Sequence, residues 1–183
     1  MLDRGPTPLR RTHPMEFRAT PLRILVADDR EAIRKRVRSI LVSHGGFEVC
    51  AEASNGREAI EKAQALKPDL IILDITMPIT NGLDAARTIK RILPQTPIVI
   101  LSVHKNRQIM KEAQGIGVQG FVTKEEASRD LINAAEAVLH EQTFFHLKPN
   151  HLCKPVASFS TWLYCDFPVH VRYRMYCPRQ RVR

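Results

Sequence analysis

Five times between residues 22 and 145 a short apolar run gives way to a segment of helical periodicity, and that alternation leaves few folds open. Residues 22–27 (LRILVA), 70–73 (LIIL) and 98–101 (IVIL) are brief, β-branched and nearly unbroken in hydrophobicity, as strands covered on both faces are. Residues 47–53 (FEVCAEA) instead alternate Phe47, Val49, Ala51 and Ala53 with Glu48, Cys50 and Glu52, the pattern of an edge strand with one wetter face. A fifth run covers 118–122. Between these runs, Ile33, Val37, Ile40 and Leu41 share one helical face, as do Ala59, Ile60, Ala63 and Leu66, and later Leu131, Ile132, Ala135, Val138 and Leu139. Two more helices are predicted over 82–93, stopped by Pro94, and over 107–114, stopped by Gly115. Asn55 with Glu58 three residues on is a capping-box start for the second helix. Short connections between strand and helix require parallel strands with right-handed crossovers. The expected fold class is therefore α/β, a doubly wound five-stranded parallel sheet of order 2-1-3-4-5, with the alternating second strand on an edge.

Charge follows the same boundaries. The chain carries 28 Lys+Arg and 19 Asp+Glu, a net of +9. Residues 1–23 contribute +3 and residues 146–183 contribute +6, which leaves 16 basic and 16 acidic residues in between. The basicity thus belongs to two tails, and a nucleic-acid reading does not extend to the folded part. The expected organisation is a basic, Pro-rich extension over 1–21, one domain over 22–146 and a basic aromatic tail over 147–183, with Met1 and Met15 both open as starts. No apolar run approaches the length of a membrane span, and the Arg- and Pro-rich start does not read as a secretory signal. A cytoplasmic protein with reduced thiols and no membrane partner is expected.

In such a sheet, ligands bind beyond the carboxyl ends of the strands, at the switch point between the first and third. The first strand ends in Ala27-Asp28-Asp29 and the third in Leu73-Asp74. Converging carboxylates repel one another, each close pair by about 4 kcal/mol at 4 Å and an effective dielectric near 20. A divalent cation removes that cost, and ligation by oxygen alone suits Mg²⁺. The fourth strand runs into Ser102, and Lys124 follows the fifth. Carboxylate, metal, hydroxyl and ammonium around one spot can host a phosphoryl group: one Asp attacks in line, the cations balance charge on the equatorial oxygens, and the hydroxyl donates a hydrogen bond. Taken singly, each residue has an ordinary reading. Asp28 and Asp29 would cap a helix, Asp74 would open a turn before Met77-Pro78 and Asn81-Gly82, Ser102 and Lys124 would be solvated, and Phe121 would pack on an edge strand. Their joint position at the ends of strands 1, 3, 4 and 5 has no such explanation.

These residues resemble the receiver domain of two-component response regulators, over about 22–145, in the pieces ILVADD, LIILDITMP with NG following, VILS and GFVTK. The resemblance implies a flavodoxin-like receiver fold with Asp74 as phosphoacceptor, and Mg²⁺ held by Asp28, Asp29, Asp74 and the carbonyl of Thr76. It makes Ser102 the switch hydroxyl, Lys124 the phosphate-contacting lysine and Phe121 the aromatic that turns inward on activation. It implies a histidine kinase or phosphotransfer protein as partner, homodimerisation on phosphorylation as an open possibility, and no enzymatic activity beyond self-phosphorylation and self-dephosphorylation. Ser-Val-His after the fourth strand and the ending AVLHEQTFF are most similar to receivers that precede a LuxR-type helix-turn-helix. Three departures stand out. Glu125 occupies a position where many receivers have Pro, so no cis peptide is expected there. Val103 replaces a smaller residue, and Phe121 lacks the phenolic hydroxyl of Tyr.

The 38 residues after Phe145 hold four Pro, no Gly and six of eleven aromatics, without a sustained helical period. A recognition helix cannot be placed there, so no sequence-specific DNA binding is expected from this chain. Cys153, Cys165 and Cys177 lack a zinc-ligand spacing. The tail reads as irregular, and native, truncated and frameshifted origins stay open. Two other function classes remain beside the phosphoacceptor: a nucleic-acid-binding regulator acting through Trp162, Tyr164, Tyr173, Tyr176 and the basic tail residues, and an Mg²⁺-dependent aspartyl phosphatase. The latter wants a second acid two residues after its nucleophile, where this chain has Thr76.

Overall fold

The three unbroken apolar runs form adjacent strands in the interior of the sheet, because only there are both faces of a strand covered. The computed structural model describes residues 20–103 and 105–145. These fall in the first of the two units, Met1–Leu147 and Lys148–Arg183, into which the chain divides. The order is β1 (Leu22–Ala27), α1 (Glu31–His44), β2 (Phe47–Ala53), α2 (Gly56–Leu66), β3 (Leu70–Asp74), α3 (Gly82–Ile92), β4 (Ile98–Ser102), α4 (Arg107–Ile116), β5 (Gly120–Thr123), α5 (Ala127–Leu139) and β6 (Phe144–Phe145). The strands make one parallel sheet in the order β2-β1-β3-β4-β5-β6. Every residue of β3 and β4 is buried, whereas β2 lies on an edge with only Val49 and Ala53 buried.

Strand alternation divides the core in two. Leu25, Ala27, Ile71, Leu73, Ile98, Ile100 and Phe121 meet α2, α3 and α4 on one face. Ile24, Val26, Leu70, Ile72, Val99 and Leu101 meet α1 and α5 on the other. Truncating a fully buried central residue such as Ile72 to Ala would cost about 2–5 kcal/mol, since neither face can collapse onto the gap.

Helix starts follow the sequence closely. Asn55 Oδ1 accepts from the Glu58 N–H at 2.9 Å, and the Glu58 carboxylate accepts from the Ser54 N–H at 2.7 Å. The reciprocal bond of the capping box thus goes one residue further back than expected. Asn81 caps α3 by accepting from the Asp84 N–H, and Asn106 caps α4 by accepting from the Gln108 and Ile109 N–H groups. The peptide bonds of the described residues are all trans, that between Lys124 and Glu125 included.

Three expectations need correction. The sheet has six strands, because a tight turn after α5 lays Phe144–Phe145 beside β5, and a pair of residues carries no periodicity to read. Helix α4 does not stop at Gly115 but runs through it to Ile116; the stop is Gly117, at φ +91°. The Val118 N–H still bonds to the Ala113 carbonyl at 3.0 Å, so β5 begins at Gly120 rather than 118.

Candidate functional site

Beyond the carboxyl ends of β1, β3, β4 and β5, four side chains that would each be costly to bury alone are buried together. Asp28 is 1% exposed, Asp74 2%, Ser102 6% and Lys124 8%. Asp28 follows β1 directly. Its N–H donates to the Ala53 carbonyl of β2 at 3.1 Å, and its Oδ1 accepts from the Arg30 N–H at 3.0 Å, which also tethers the start of α1. Asp74 is the last residue of β3, one position beyond the apolar run. Lys124 comes directly after β5, and its N–H donates to the Ser102 carbonyl at the end of β4, at 2.7 Å.

The Lys124 ammonium joins the two aspartates, with Nζ 2.5 Å from Asp28 Oδ2 and 3.1 Å from Asp74 Oδ1. Asp28 Oδ2 has no directional hydrogen bond, so its contact with Lys124 is an ion pair alone. Asp29 stands at the exposed mouth, and one carboxylate oxygen from each of Asp28, Asp29 and Asp74 lies within 4.8 Å of the others. Three carboxylates stand together and the one ammonium pairs with two of them, an excess of negative charge that a cation would neutralise. The donors fit such an ion: hard oxygens, one of them a buried acceptor without a directional hydrogen bond, gathered at the ends of two neighbouring strands, Asp28 and Asp29 just after β1 and Asp74 closing β3. That set suits Mg²⁺ or Ca²⁺ over a soft transition metal.

Burial pushes the Asp74 carboxyl above the ordinary aspartate range. The Lys124 charge and hydrogen bond oppose that shift, neighbouring Asp28 adds to it, and the Thr76 N–H, donated to the Asp74 carboxylate, opposes it. Thr76 itself is exposed. Its backbone N–H faces Asp74.

The loop from Asp74 to α3 is held by two glycines. A Cβ on Gly82 would fall 1.9 Å from the Asp74 carbonyl oxygen and 2.9 Å from Ile75 Cα. On Gly56 it would fall 2.2 Å from the Thr80 carbonyl oxygen. The Gly82 N–H also donates to the Ile75 carbonyl at 2.8 Å. Asn81-Gly82, read as a turn, is therefore a helix cap followed by a close-packing residue that fixes the acceptor strand's end.

All seven residues singled out from the sequence are placed near these strand ends except Phe121, which lies deeper. Its ring is 1% exposed and belongs to the core on the α3 and α4 side. It is not on an edge, since β6 lies outside β5, and it already points inward. Val103, directly after Ser102, is 43% exposed. Sequence reasoning missed Arg34, whose Nη1 donates to the Asp28 carbonyl at 2.8 Å while its Nε meets Glu52 Oε2 at 3.2 Å. Arg34 sits among Arg30, Lys35, Arg36 and Arg38, and nothing in the sequence singles it out.

Residues 24–136 match the family described as response regulator receiver domain. The chain is 40% identical over 102 residues to the chemotaxis protein CheY of Thermotoga maritima, covering 56% of this chain and 84% of that protein. It is 32% identical over 117 residues to the transcriptional regulatory protein LnrK of Bacillus subtilis, covering 64% of this chain and 53% of the relative. Against such regulators the chain spans little more than half their length. Among solved structures, a LuxR-family two-component response regulator from Aurantimonas sp. SI85-9A1 superposes with a TM-score of 0.66 at 28% identity, over 69% of this chain and 90% of that one. The response regulator domain of Thermotoga maritima CheB superposes with a TM-score of 0.62 at 30% identity, over 66% and 97%.

Proposed function

Because this chain belongs to the response regulator receiver domain family of two-component systems, we propose that it works as a phosphoacceptor switch, taking a phosphoryl group from a phosphohistidine onto Asp74. What carries this reading is the buried triad of Asp28, Asp74 and Lys124, with the ammonium 2.5 and 3.1 Å from the two carboxylates. A buried ion cluster with surplus negative charge is expensive to keep as mere scaffold, since apolar residues of similar volume would serve stability as well or better.

In the proposed reaction an Asp74 carboxylate oxygen attacks phosphorus in line. The P–N bond to the donor imidazole breaks, a P–O bond forms, and the imidazole leaves with a proton. Lys124 is already in place to balance charge on the phosphoryl oxygens, and the Ser102 hydroxyl, one strand over, donates a hydrogen bond to one of them. Asp28, Asp29, Asp74 and the Thr76 carbonyl would hold Mg²⁺, which supplies further charge balance at the phosphoryl group. Gly82 and Gly56 keep the acceptor loop in position, so attack begins from an ordered geometry.

The partner in this reading is a histidine kinase or phosphotransfer protein, and the setting is the cytoplasm; among the described residues no helix is long and apolar enough to cross a membrane. Catalysis is limited to the chain's own phosphorylation and dephosphorylation. Residues 22–146 form the receiver, flanked by the extension and the tail. The tail lies outside the described residues, and sequence-specific DNA binding is not part of the proposal.

The test is incubation with acetyl phosphate in Mg²⁺ or in chelator, followed by intact mass measurement, with hydrolysis of a generic phosphomonoester assayed alongside. One added phosphate in Mg²⁺, none in chelator and no phosphomonoester turnover are expected. Steady turnover of the phosphomonoester would favour the phosphatase class, and absence of any phosphorylation would overturn the reading.

A further inference from the structure

Residues 28–30 join β1 to α1 and carry two of the three carboxylates of the acidic site. The N-cap of α1, Arg30, makes no side-chain cap hydrogen bond, so the helix start does not fix this connection in the usual way. Arg34 reaches it from one turn into the helix. Its N–H donates to the Arg30 carbonyl at 3.2 Å, and its side chain runs back toward the helix start, the direction in which helical side chains lean. There Nη1 donates to the Asp28 carbonyl at 2.8 Å and lies 3.5 Å from the Asp29 carbonyl. A single nitrogen thus spans the backbone of both acids.

The guanidinium is held from its other side by Glu52. Arg34 Nε meets Glu52 Oε2 at 3.2 Å, and Arg38 Nη1 donates to Glu52 Oε1 at 3.0 Å. The Arg34 side chain is 15% exposed against 54% for Arg38, so Arg34 is the inner of the two. Glu52 has fixed surroundings of its own: it stands opposite Val26 of β1, and its carbonyl accepts from the Lys62 ammonium of α2. As a salt bridge the Arg34 contact contributes little, since Arg38 already neutralises Glu52. What Arg34 adds is the donor on the Asp28 carbonyl.

Charge and geometry act in opposite directions here. Arg34, Arg38 and Glu52 together leave one positive charge beside the acids, and that charge repels a cation. The hydrogen bond to the connection works the other way. It holds the backbone of both acids before a cation arrives, so binding has less to order.

We propose that Arg34, itself held by Glu52, is a positioning residue for the divalent cation: it fixes the backbone of Asp28 and Asp29 and strengthens cation binding despite its own charge. The proposal rests on the Mg²⁺ site of the phosphoacceptor reading.

The test is titration of the full chain with Mg²⁺ alone, without phosphodonor, followed by amide NMR in wild type, Arg34→Gln and Arg34→Lys, with urea unfolding in chelator alongside. Gln removes the charge and Lys keeps it, but neither can hold Glu52 and the Asp28 carbonyl together as the planar guanidinium does. Both variants should therefore raise the Mg²⁺ dissociation constant, by about three- to tenfold, at or below the low end of what outer contacts to a metal site contribute. Glu52→Ala should also raise it, and by a smaller factor when Arg34→Gln is already present, because it acts through Arg34. Arg34→Lys decides alone if the glutamine variant does not fold. A dissociation constant unchanged or lowered in Arg34→Lys would overturn the proposal. Tighter binding in Arg34→Gln beside it would reduce Arg34 to its charge, and lost urea stability beside it would reduce Arg34 to a scaffold contact. Each of these results spares the phosphoacceptor reading, which acetyl phosphate labelling of wild type tests separately. No Mg²⁺-dependent shift around Asp29 and Asp74 in wild type would overturn the cation site and the proposal together.

Discussion

Replacing Asp29 by Asn removes one charge and almost no volume from the mouth of the acidic site. The Asp29 carboxylate lies within 4.8 Å of those of Asp28 and Asp74, a separation at which two unit charges repel by about 3.5 kcal/mol at an effective dielectric of 20 and about 0.9 kcal/mol at 80. Asp29 is exposed, so the lower part of that range applies, about 1–1.5 kcal/mol per neighbour. Lys124 touches both of the other aspartates and offsets roughly one of the two repulsions. Against the remainder stands the helix dipole: a negative charge just ahead of α1 stabilises it by about 0.3–1 kcal/mol. Repulsion wins. Asp29→Asn should therefore raise stability in chelator by about 0.5–1 kcal/mol, whereas a residue serving only the helix end would lower it by a similar amount. Urea unfolding in chelator and in excess Mg²⁺ reads both halves of the argument. Wild type should gain stability with Mg²⁺, because the ion binds only the folded site, and the variant should gain much less. A variant less stable than wild type in chelator, with an unchanged Mg²⁺ increment, would refute the reasoning.

Gly82→Ala should cost about 1–3 kcal/mol or more in urea unfolding and lower acetyl phosphate labelling of the acceptor, because the new Cβ meets backbone at Asp74 and Ile75 and no rotamer can relieve it; full stability with full labelling would show that the loop is not clamped. Glu58 is held at about 2 by its hydrogen bond from Lys62 first and the Ser54 N–H next. Its folded value lies below its unfolded one, so the stability it contributes is present above about pH 4.5 and is lost as pH falls toward 2. Glu58→Gln should lower the pH 7 urea midpoint by the equivalent of at most about 1 kcal/mol, discounted for exposure, and flatten the acid limb between those pH values; an unaltered acid limb would contradict the assignment. Ser102→Ala should still accept phosphate but lose the accompanying amide shifts around Phe121 and α4, and shifts equal to wild type would disprove the hydroxyl's coupling role.

What could be read in advance was whatever periodicity or strand ends encode. The alternation in Phe47–Ala53 placed β2 on an edge, and the polar residues ending each apolar run located Asp28, Asp74, Ser102 and Lys124 on one rim, because a buried parallel strand stays apolar until it reaches the ligand side. Tertiary fit was not legible. Gly115 and Gly117 are equally plausible helix stops by composition, and only the left-handed conformation of Gly117 decides between them. Gly82 reads as half of an Asn-Gly turn until its distance to the Asp74 carbonyl is known. Strand β6 depends on a turn that puts Glu141 where glycine is usual, which runs against local propensity. Arg34 is one cation among five on or beside α1, and its role depends on where Glu52 and the Asp28 carbonyl come to lie.

Phosphorylation at Asp74 is tested most directly by the chemistry of its product. An acyl phosphate, unlike a phosphate ester, is reduced by borohydride, which converts the phosphorylated aspartate to homoserine. After treatment with acetyl phosphate and Mg²⁺, borohydride reduction and peptide mass spectrometry should place homoserine at position 74 and at no other aspartate, with none formed in chelator or in Asp74→Asn. Homoserine at another aspartate, or phosphorylated protein whose position 74 resists reduction, would contradict the assignment of Asp74 as the acceptor.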